Sequence, residues 1–437
     1  MRESALRQHA RDIWQAGLAA AKPEPLVQQA LREFQVDLAA RRILVVGAGK
    51  AGPAMARGLE SALGTLLDRA EGVVNVPADA VKPLRKIVLH AGRPAGSNHP
   101  APEGVAGAER MLALLAGAGP DDIAICLISG GGSALLPAPA EGVSLTDKQA
   151  TTKLLHACGA NINEMNAVRK HLSRIKGGRL AQSFRGKKLI ALIISDVVGD
   201  PLDVIASGPT VADPTTFADA IAVLRRYDLW QKVPETVRRH LERGQAGEIP
   251  ETPKQISANV VNRIIGRNAD SLAAAQAKAK ALGYHVLNLG SFIEGETREV
   301  AIACAGVLRA ILANEVSIAR PACILLGGET TVTLGDNPGK GGRNQEFVLA
   351  MLGKLGESGL QNVAILSGGT DGEDGPTDAA GVVASAQTLA IAGKLGLQSQ
   401  ESLARHDAYS FFAATGDLIK TGPTETNVMD IRVLLIG

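Results

Sequence analysis

The chain has 437 residues, 46% of them hydrophobic but only 3% aromatic, so its cores must be built mainly from Ala, Val, Leu and Ile, and the length favours two domains over one. Forty-six basic and 44 acidic residues leave a formal net charge of +2, too weak a field to attract nucleic acid or anionic lipid, so any anionic ligand must be bound locally. No apolar stretch is long enough to span a bilayer, the N-terminus lacks the apolar core of a signal peptide, and Cys126, Cys158, Cys304 and Cys323 show neither CxxC nor zinc spacing; a cytoplasmic protein with its cysteines in the core is expected.

From Arg41 to about Leu202, short β-branched runs alternate with Ala- and Leu-rich stretches, the pattern of parallel βαβ units. Strands are expected at RILVVG from Arg42, GVVNV from Gly72, KIVLH from Lys86, DIAICLIS from Asp122 and KLIALIIS from Lys188. Residues 213–240 read as helical, and the Pro- and Gly-containing stretch 243–255 reads as a linker. That places an N-terminal domain at 1–245 and a C-terminal domain at 255–437. Beyond the linker, strands are expected at ANVVNRIIG from Ala258, YHVLNLG from Tyr284, ACILLGGETTVTL from Ala322, NVAILSGG from Asn362 and the C-terminal DIRVLLIG. ETTVTL follows CILLGG so closely that it suggests a hairpin, which would make the second sheet mixed.

Ligands of open α/β sheets lie outside the carboxyl ends of the strands, and here each strong strand ends in a polar or glycine-rich loop. In GAGKAG, Gly47, Gly49 and Gly52 match GxGxxG, the dinucleotide fingerprint. The acidic residue that should end the second strand to hold a ribose is missing, and only Asn75 precedes Pro77. Lys50 instead adds an ammonium at a helix N-terminus, which suits phosphate at least as well as a nicotinamide nucleotide; a tight turn with an exposed lysine is the bland alternative. Ser129, Gly130, Gly131, Gly132 and Ser133 form a second candidate anion cradle that does not match the Walker pattern.

Asp196 directly follows the buried run LIALIIS, where a carboxylate is an unusual filler, so it reads as a magnesium ligand or a base for a substrate hydroxyl. GDNPGKGGRNQE sets Lys340 and Arg343 among glycines, with Asn344 opening the following helix, and offers a fork for carboxylate or phosphate. SGGTDGEDGPTD gathers acids after a strand, with Asp371 nearest the strand end, and reads as magnesium coordination or substrate hydroxyl contact. His90, His99, His156 and His171 have no ligand spacing and read as structural. The basic stretch KHLSRIKGGR from Lys170 is either a solvated helix face or a holder of a substrate carboxylate.

Read together, GAGKAG, LISGGGSALLP, NAVRKHLSRIKGGRLA, SDVVGDPLDVIASGPTV, LGGETTVTL, GKGGRNQEFVLA, SGGTDGEDGPTDAAG and GPTETNVMD resemble the signature loops of the class II glycerate kinases. The C-terminal half of that family is known as the MOFRL domain, and some members have been labelled tartrate-pathway or hydroxypyruvate reductase proteins. The resemblance covers nearly the whole chain. It implies two three-layer α/β/α domains, the first with a Rossmann-like parallel sheet and the second with a mixed sheet, and an active site in the cleft between them. It implies transfer of the ATP γ-phosphate to the 2-hydroxyl of D-glycerate, with Mg²⁺. It also implies functional roles for Lys50, Asp196, Glu329, Arg343, Asp371 and Asn427, of which Glu329 and Asn427 come from the resemblance alone.

The scheme so reached has Lys50 and the Ser129 to Ser133 cradle on the transferring phosphate, Asp196 on the glycerate hydroxyl, Arg343 on carboxylate or phosphate, and Glu329 and Asp371 holding Mg²⁺. Gly47, Gly49, Lys340, Asn344 and Asn427 complete the expected binding set. The rival is an NAD(P)H-dependent hydroxypyruvate reductase. Partners are expected to be small molecules, without nucleic acid or membrane, the protein being a monomer or a homodimer.

Overall fold

The structure is a computed structural model and describes residues 3–34 and 40–437. The chain forms two compact units, Pro23–Ile265, and Met1–Lys22 together with Gly266–Gly437.

In the first unit, β1 (Ile43–Ala48), β2 (Ala70–Pro77), β3 (Ile87–Arg93), β4 (Ile123–Ile128), β5 (Lys188–Ile194) and β6 (Val260–Gly266) form one sheet in the order β3-β2-β1-β4-β5-β6. The pairs β1/β2, β1/β4, β2/β3 and β4/β5 are parallel, with Ile43 opposite both Ala70 and Ile123. Every residue of β1 and β4 is buried, which is why they read as unbroken apolar runs instead of alternating ones. Leu44, Val46 and Ala48 pack with Ala108, Met111 and Leu115 of the helix Pro102–Ala116. A separate helical core unites Leu155, Val168, Phe217, Ile221 and Leu241 from four helices, the second of which, Ile162–His171, starts on an Asn161/Glu164 capping box.

The second unit holds β7 (His285–Asn288), β8 (Ile293–Glu296), β9 (Ala322–Thr331), β10 (Val363–Gly369), β11 (Gly381–Ser385), β12 (Leu418–Ile419) and β13 (Asp430–Ile436). Their order is β12-β11-β10-β13-β9-β7, with β8 also on β9. Period-two alternation sorts the side chains to two faces. Ala322, Ile324, Leu326, Val363, Ile365, Leu434 and Ile436 meet the helices Thr297–Leu312 and Arg343–Gly359. Cys323, Leu325, Ala364, Leu366, Val433 and Leu435 meet Leu6, Ile13 and Trp14 of the helix Glu3–Ala20 and Leu272 and Ala275 of the helix Asn268–Ala281. The three-layer arrangement is therefore realised with one helical layer on each face.

Three expectations need correction. The boundary expected within 243–255 lies inside the first unit, because the strand beyond it joins the first sheet: Leu189 N donates to Asn259 O at 2.9 Å next to β5. The first 22 residues belong to the second unit, because the apolar stripe of Glu3–Ala20 packs on the second sheet, with Trp14 Nε1 donating to Gly368 O at 3.2 Å. The hairpin expected at ETTVTL is absent: β9 runs straight through Gly327, Gly328 and Glu329. The second sheet is mixed for a different reason, since β13 is antiparallel to both β9 and β10 while β7 and β8 are parallel to β9.

Candidate active site

The order of the first sheet puts β2 and β4 on either side of β1, so the chain's direction of travel reverses at β1, the place where such sheets open a ligand crevice. The two glycine loops meet there. Lys50 N donates to Gly130 O at 2.8 Å, Ser129 N to Ala48 O at 3.1 Å, and Ala51 N to Ser129 Oγ at 3.1 Å. Glycine is required at Gly49, whose φ is 148° and where a Cβ would fall on Ser129 Oγ. It is required again at Gly131, with φ 78°, where a Cβ would reach 3.6 Å from Lys50 Cγ and 3.8 Å from Arg93 Nη2. Gly47, Gly49, Lys50 and the Ser129 to Ser133 segment thus form one two-loop cradle, with Lys50 and Arg93 beside it.

Asn75, near the end of β2, is held inside the packing. It is fully buried, and its amide donates to Gly104 O at 3.0 Å and Leu135 O at 2.7 Å, tying the start of the helix Pro102–Ala116 to the loop after the cradle. Ser133 Oγ accepts from Arg169 Nη2 and from Lys176 Nζ, the latter at 2.9 Å, and lies 3.0 Å from Ser207 Oγ. Asp196 follows β5 directly, half-buried, after a fully buried Ser195.

In the second unit β13 lies between β9 and β10 and runs against both, so Asp430 at its start is level with Gly328 and Gly369 at their carboxyl ends. The helix Arg343–Gly359 begins at the same edge. Arg343 places its fork on Asp430, Nε to Oδ2 at 2.7 Å and Nη2 to Oδ1 at 3.2 Å, and donates from Nη1 to Glu329 Oε1 at 2.6 Å. Three of its five N–H donors are used, and two remain for a ligand. These carboxylates hold its pKa above the ordinary arginine value in spite of burial. Asn344 is buried, donates to Asp374 Oδ1 at 3.2 Å and Asp430 Oδ1 at 2.9 Å, and accepts from Ser367 Oγ at 2.6 Å. Its amide is consumed inside the protein and not offered to a ligand, so it positions Asp430.

Burial raises the Glu329 pKa, with Asp430 and Asp371 adding to the rise against the pull of Arg343. Among the described residues no group of three or more His, Cys, Asp or Glu side chains is arranged to hold a metal ion. Glu329 and Asp371 still fit a Mg²⁺ that arrives on a nucleotide, because such an ion takes one or two protein carboxylates and completes its shell with phosphate and water. The repulsion that Asp430 and Asp371 exert on the Glu329 carboxylate is what a cation would relieve. Lys340 is exposed, with Nζ 4.1 Å from the centre of the Tyr409 ring. Asn427 Oδ1 accepts from Met429 N at 3.0 Å in the turn before β13.

Sequence reading missed Asp430, Arg432, Arg93, Lys148 and Arg169. Asp430 opens a strand and so looks like a turn residue, and it gives no signal that Arg343, Asn344 and Arg432 all converge on it. Arg93 ends β3, three residues beyond the expected run KIVLH, and the intervening Ala-Gly pair hides it as a strand-end residue.

Residues 9–242 match the family described as Domain of unknown function (DUF4147), and residues 322–430 match the MOFRL family. Over 430 residues the chain is 40% identical to a glycerate 2-kinase of Pyrococcus horikoshii, covering 98% of this chain and 94% of that one. It is 44% identical over 434 residues to an Agrobacterium vitis protein with a provisional hydroxypyruvate reductase name, covering 99% and 94%. The solved structure of a Thermotoga maritima glycerate kinase superposes with a TM-score of 0.89 at 35% identity, covering 99% of this chain and all of that one. The chain belongs to the class II glycerate kinase family.

Proposed function

We propose that the protein transfers the γ-phosphoryl group of ATP to the 2-hydroxyl of D-glycerate, giving 2-phosphoglycerate and ADP. The observation that carries this reading is the two-loop cradle, in which Lys50 N is bonded to Gly130 O and the Lys50 side chain passes close to Gly131. Such a cradle stabilises charge on phosphoryl oxygens by positioning and electrostatics, which is most of what phosphoryl transfer requires.

Lys50 and the Ser129 to Ser133 segment contact the transferring group, and Gly47 and Gly49 let the backbone approach it. Asp196 orients the glycerate hydroxyl and accepts its proton. Arg343 offers its two remaining N–H donors to the substrate carboxylate or to phosphate, and Asn344 holds Arg343 in place through Asp430. Glu329 and Asp371 would hold a nucleotide-borne Mg²⁺, which supplies further neutralisation of phosphate charge. Lys340 and Asn427 add polar contacts to nucleotide or acid. The reaction uses small molecules, and no helix among the described residues is long and apolar enough to cross a membrane. Activity in the cytoplasm, where ATP is held, completes the proposal.

The Agrobacterium vitis name favours a second reading, hydroxypyruvate reduction by NAD(P)H. The buried, fully donating Asn75 opposes it, since it stands where a ribose-binding acid would be needed. Purified protein given D-glycerate, ATP and Mg²⁺ is expected to form ADP in proportion to glycerate, and protein given hydroxypyruvate and NADH to leave the NADH intact. NADH oxidation without ADP formation would reverse the assignment.

A further inference from the structure

The first unit contains a cavity of about 850 Å³, lined in part by Pro100, Pro137 and Leu145 and by Ser133 of the cradle. Lys148, Arg169 and Lys176 line it. The neighbouring Lys170 shows how this protein ordinarily treats a buried cation: its ammonium is paired with Asp213 at 3.2 Å and Asp203 at 3.4 Å. Among the described residues, none of the three cavity cations has a carboxylate partner. Lys176 is 1% exposed and its described acceptors are all uncharged oxygens, Ser133 O at 3.0 Å, Ser133 Oγ at 2.9 Å, Ala206 O at 3.3 Å and Ser207 Oγ at 3.5 Å. Arg169 bonds Ser133 Oγ and Asn166 Oδ1, leaving most of its fork unused. Lys148, 5% exposed, has no hydrogen-bond partner for Nζ among the described residues.

Uncompensated buried charge is costly and persists where a ligand supplies the counter-charge. The backbone is also committed to this arrangement. Ala206 and Ser207 both take left-handed conformations, φ 51° and 62°, and Ser207 Oγ donates to Asn166 Oδ1 at 2.9 Å.

Resting on the kinase reading, we infer that Lys148, Arg169 and Lys176 hold the phosphate chain of the nucleoside triphosphate, its base lying against Pro100, Pro137 and Leu145. Charge decides between this and the carboxylate of the small acid. One carboxylate would leave two of three cations unmatched, whereas a triphosphate carries enough negative charge for all three. The volume agrees, being within the range of about 300–1,000 Å³ usual for pockets that enclose a drug-sized ligand. Ser133, shared by Arg169 and Lys176, joins this cavity to the Lys50 cradle, so a phosphate chain seated here ends where the transferring group is needed. Burial and the proximity of Arg169 bring the Lys148 pKa down to about 7, and burial with Arg169 and Lys148 lowers that of Lys176 well below the ordinary value, as cations awaiting an anion should behave.

The test is Lys148→Met, which keeps length and removes the charge. Calorimetric titration of the full-length variant with inorganic tripolyphosphate and with ADP should show affinity about tenfold or more weaker than wild type, the loss expected for one charge-assisted contact. D-glycerate affinity should be unchanged. The melting temperature without ligand should rise, because an unpaired buried charge has gone; a merely structural lysine would lower it. Loss of D-glycerate affinity with tripolyphosphate affinity intact would make the cavity a carboxylate site and overturn the inference, as would unchanged affinity for all three ligands. These readouts need no turnover, so a protein that binds tripolyphosphate through Lys148 but fails to phosphorylate D-glycerate would separate failure of the kinase reading from failure of the site.

Discussion

The charged or titratable groups around Lys148 are Arg169 and Lys176 from elsewhere in the unit, Asp147, Lys153 and His156 on its own helix, and His99 on the cavity wall, and Asp147 is committed to the Ser144 capping box. Its pKa is lowered from 10.5 to about 7, so the unfolded chain binds more protons than the folded one between those values. Stability of the ligand-free protein should therefore climb with pH across that window, the cost of the charged ammonium being fully present below about 7. An anion that reprotonates Lys148 must bind with proton uptake. Tripolyphosphate affinity should accordingly fall as pH is raised above about 7, with calorimetric heats that depend on the ionisation enthalpy of the buffer. A flat profile in wild type, identical to that of Lys148→Met, would mean that this lysine does not meet the anion. Arg343 invites a different substitution. Arg343→Lys keeps the charge but cannot hold both oxygens of Asp430 while reaching Glu329, so turnover should drop by on the order of tenfold or more with little change in fold. Steady-state kinetics with circular dichroism would check this, and unchanged turnover would remove Arg343 from the chemistry.

At the scale of elements, β1, β4, β5, β9, β10 and β13 were legible because strands buried on both faces leave continuous apolar runs. The short β8 and β12 were not, since Ile293–Glu296 and Leu418–Ile419 carry too few residues to show a period. The loops of the candidate site were legible, with Lys50, Asp196 and Asp371 just past the ends of β1, β5 and β10 and Arg343 opening a helix. The site was illegible where a polar residue is buried by distant chain: nothing local distinguishes Lys148, without a partner, from Lys170, paired with Asp213. The N-terminal helix makes the same point about domains. Its stripe of Leu6, Ala10, Ile13 and Trp14 announces a partner but not which sheet supplies it, and the partner lies more than 250 residues away. Ile13→Ala should destabilise the second unit by about 2–5 kcal/mol, the usual cost of emptying a core position. Urea unfolding would show this as a lower midpoint, and an unshifted midpoint would contradict the docking of Glu3–Ala20 on the second sheet.

For the whole molecule, one glycine motif admits two chemistries, and the fold around it separates them. GxGxxG after β1 is shared by nicotinamide and phosphate binders, but here Asn75 is locked into the packing, and the second loop places Ser129 and Gly130 against the first. The missing ribose-binding acid counts against hydride transfer from a nicotinamide nucleotide, and the glycine loops with their cations favour phosphate. The most direct measurement is a ³¹P NMR time course of purified protein with ATP, Mg²⁺ and D-glycerate. Loss of the γ-phosphate resonance with growth of a signal that coincides with added 2-phosphoglycerate is the predicted result. A spectrum in which ATP persists, while a parallel sample reduces hydroxypyruvate with NADH, would contradict it.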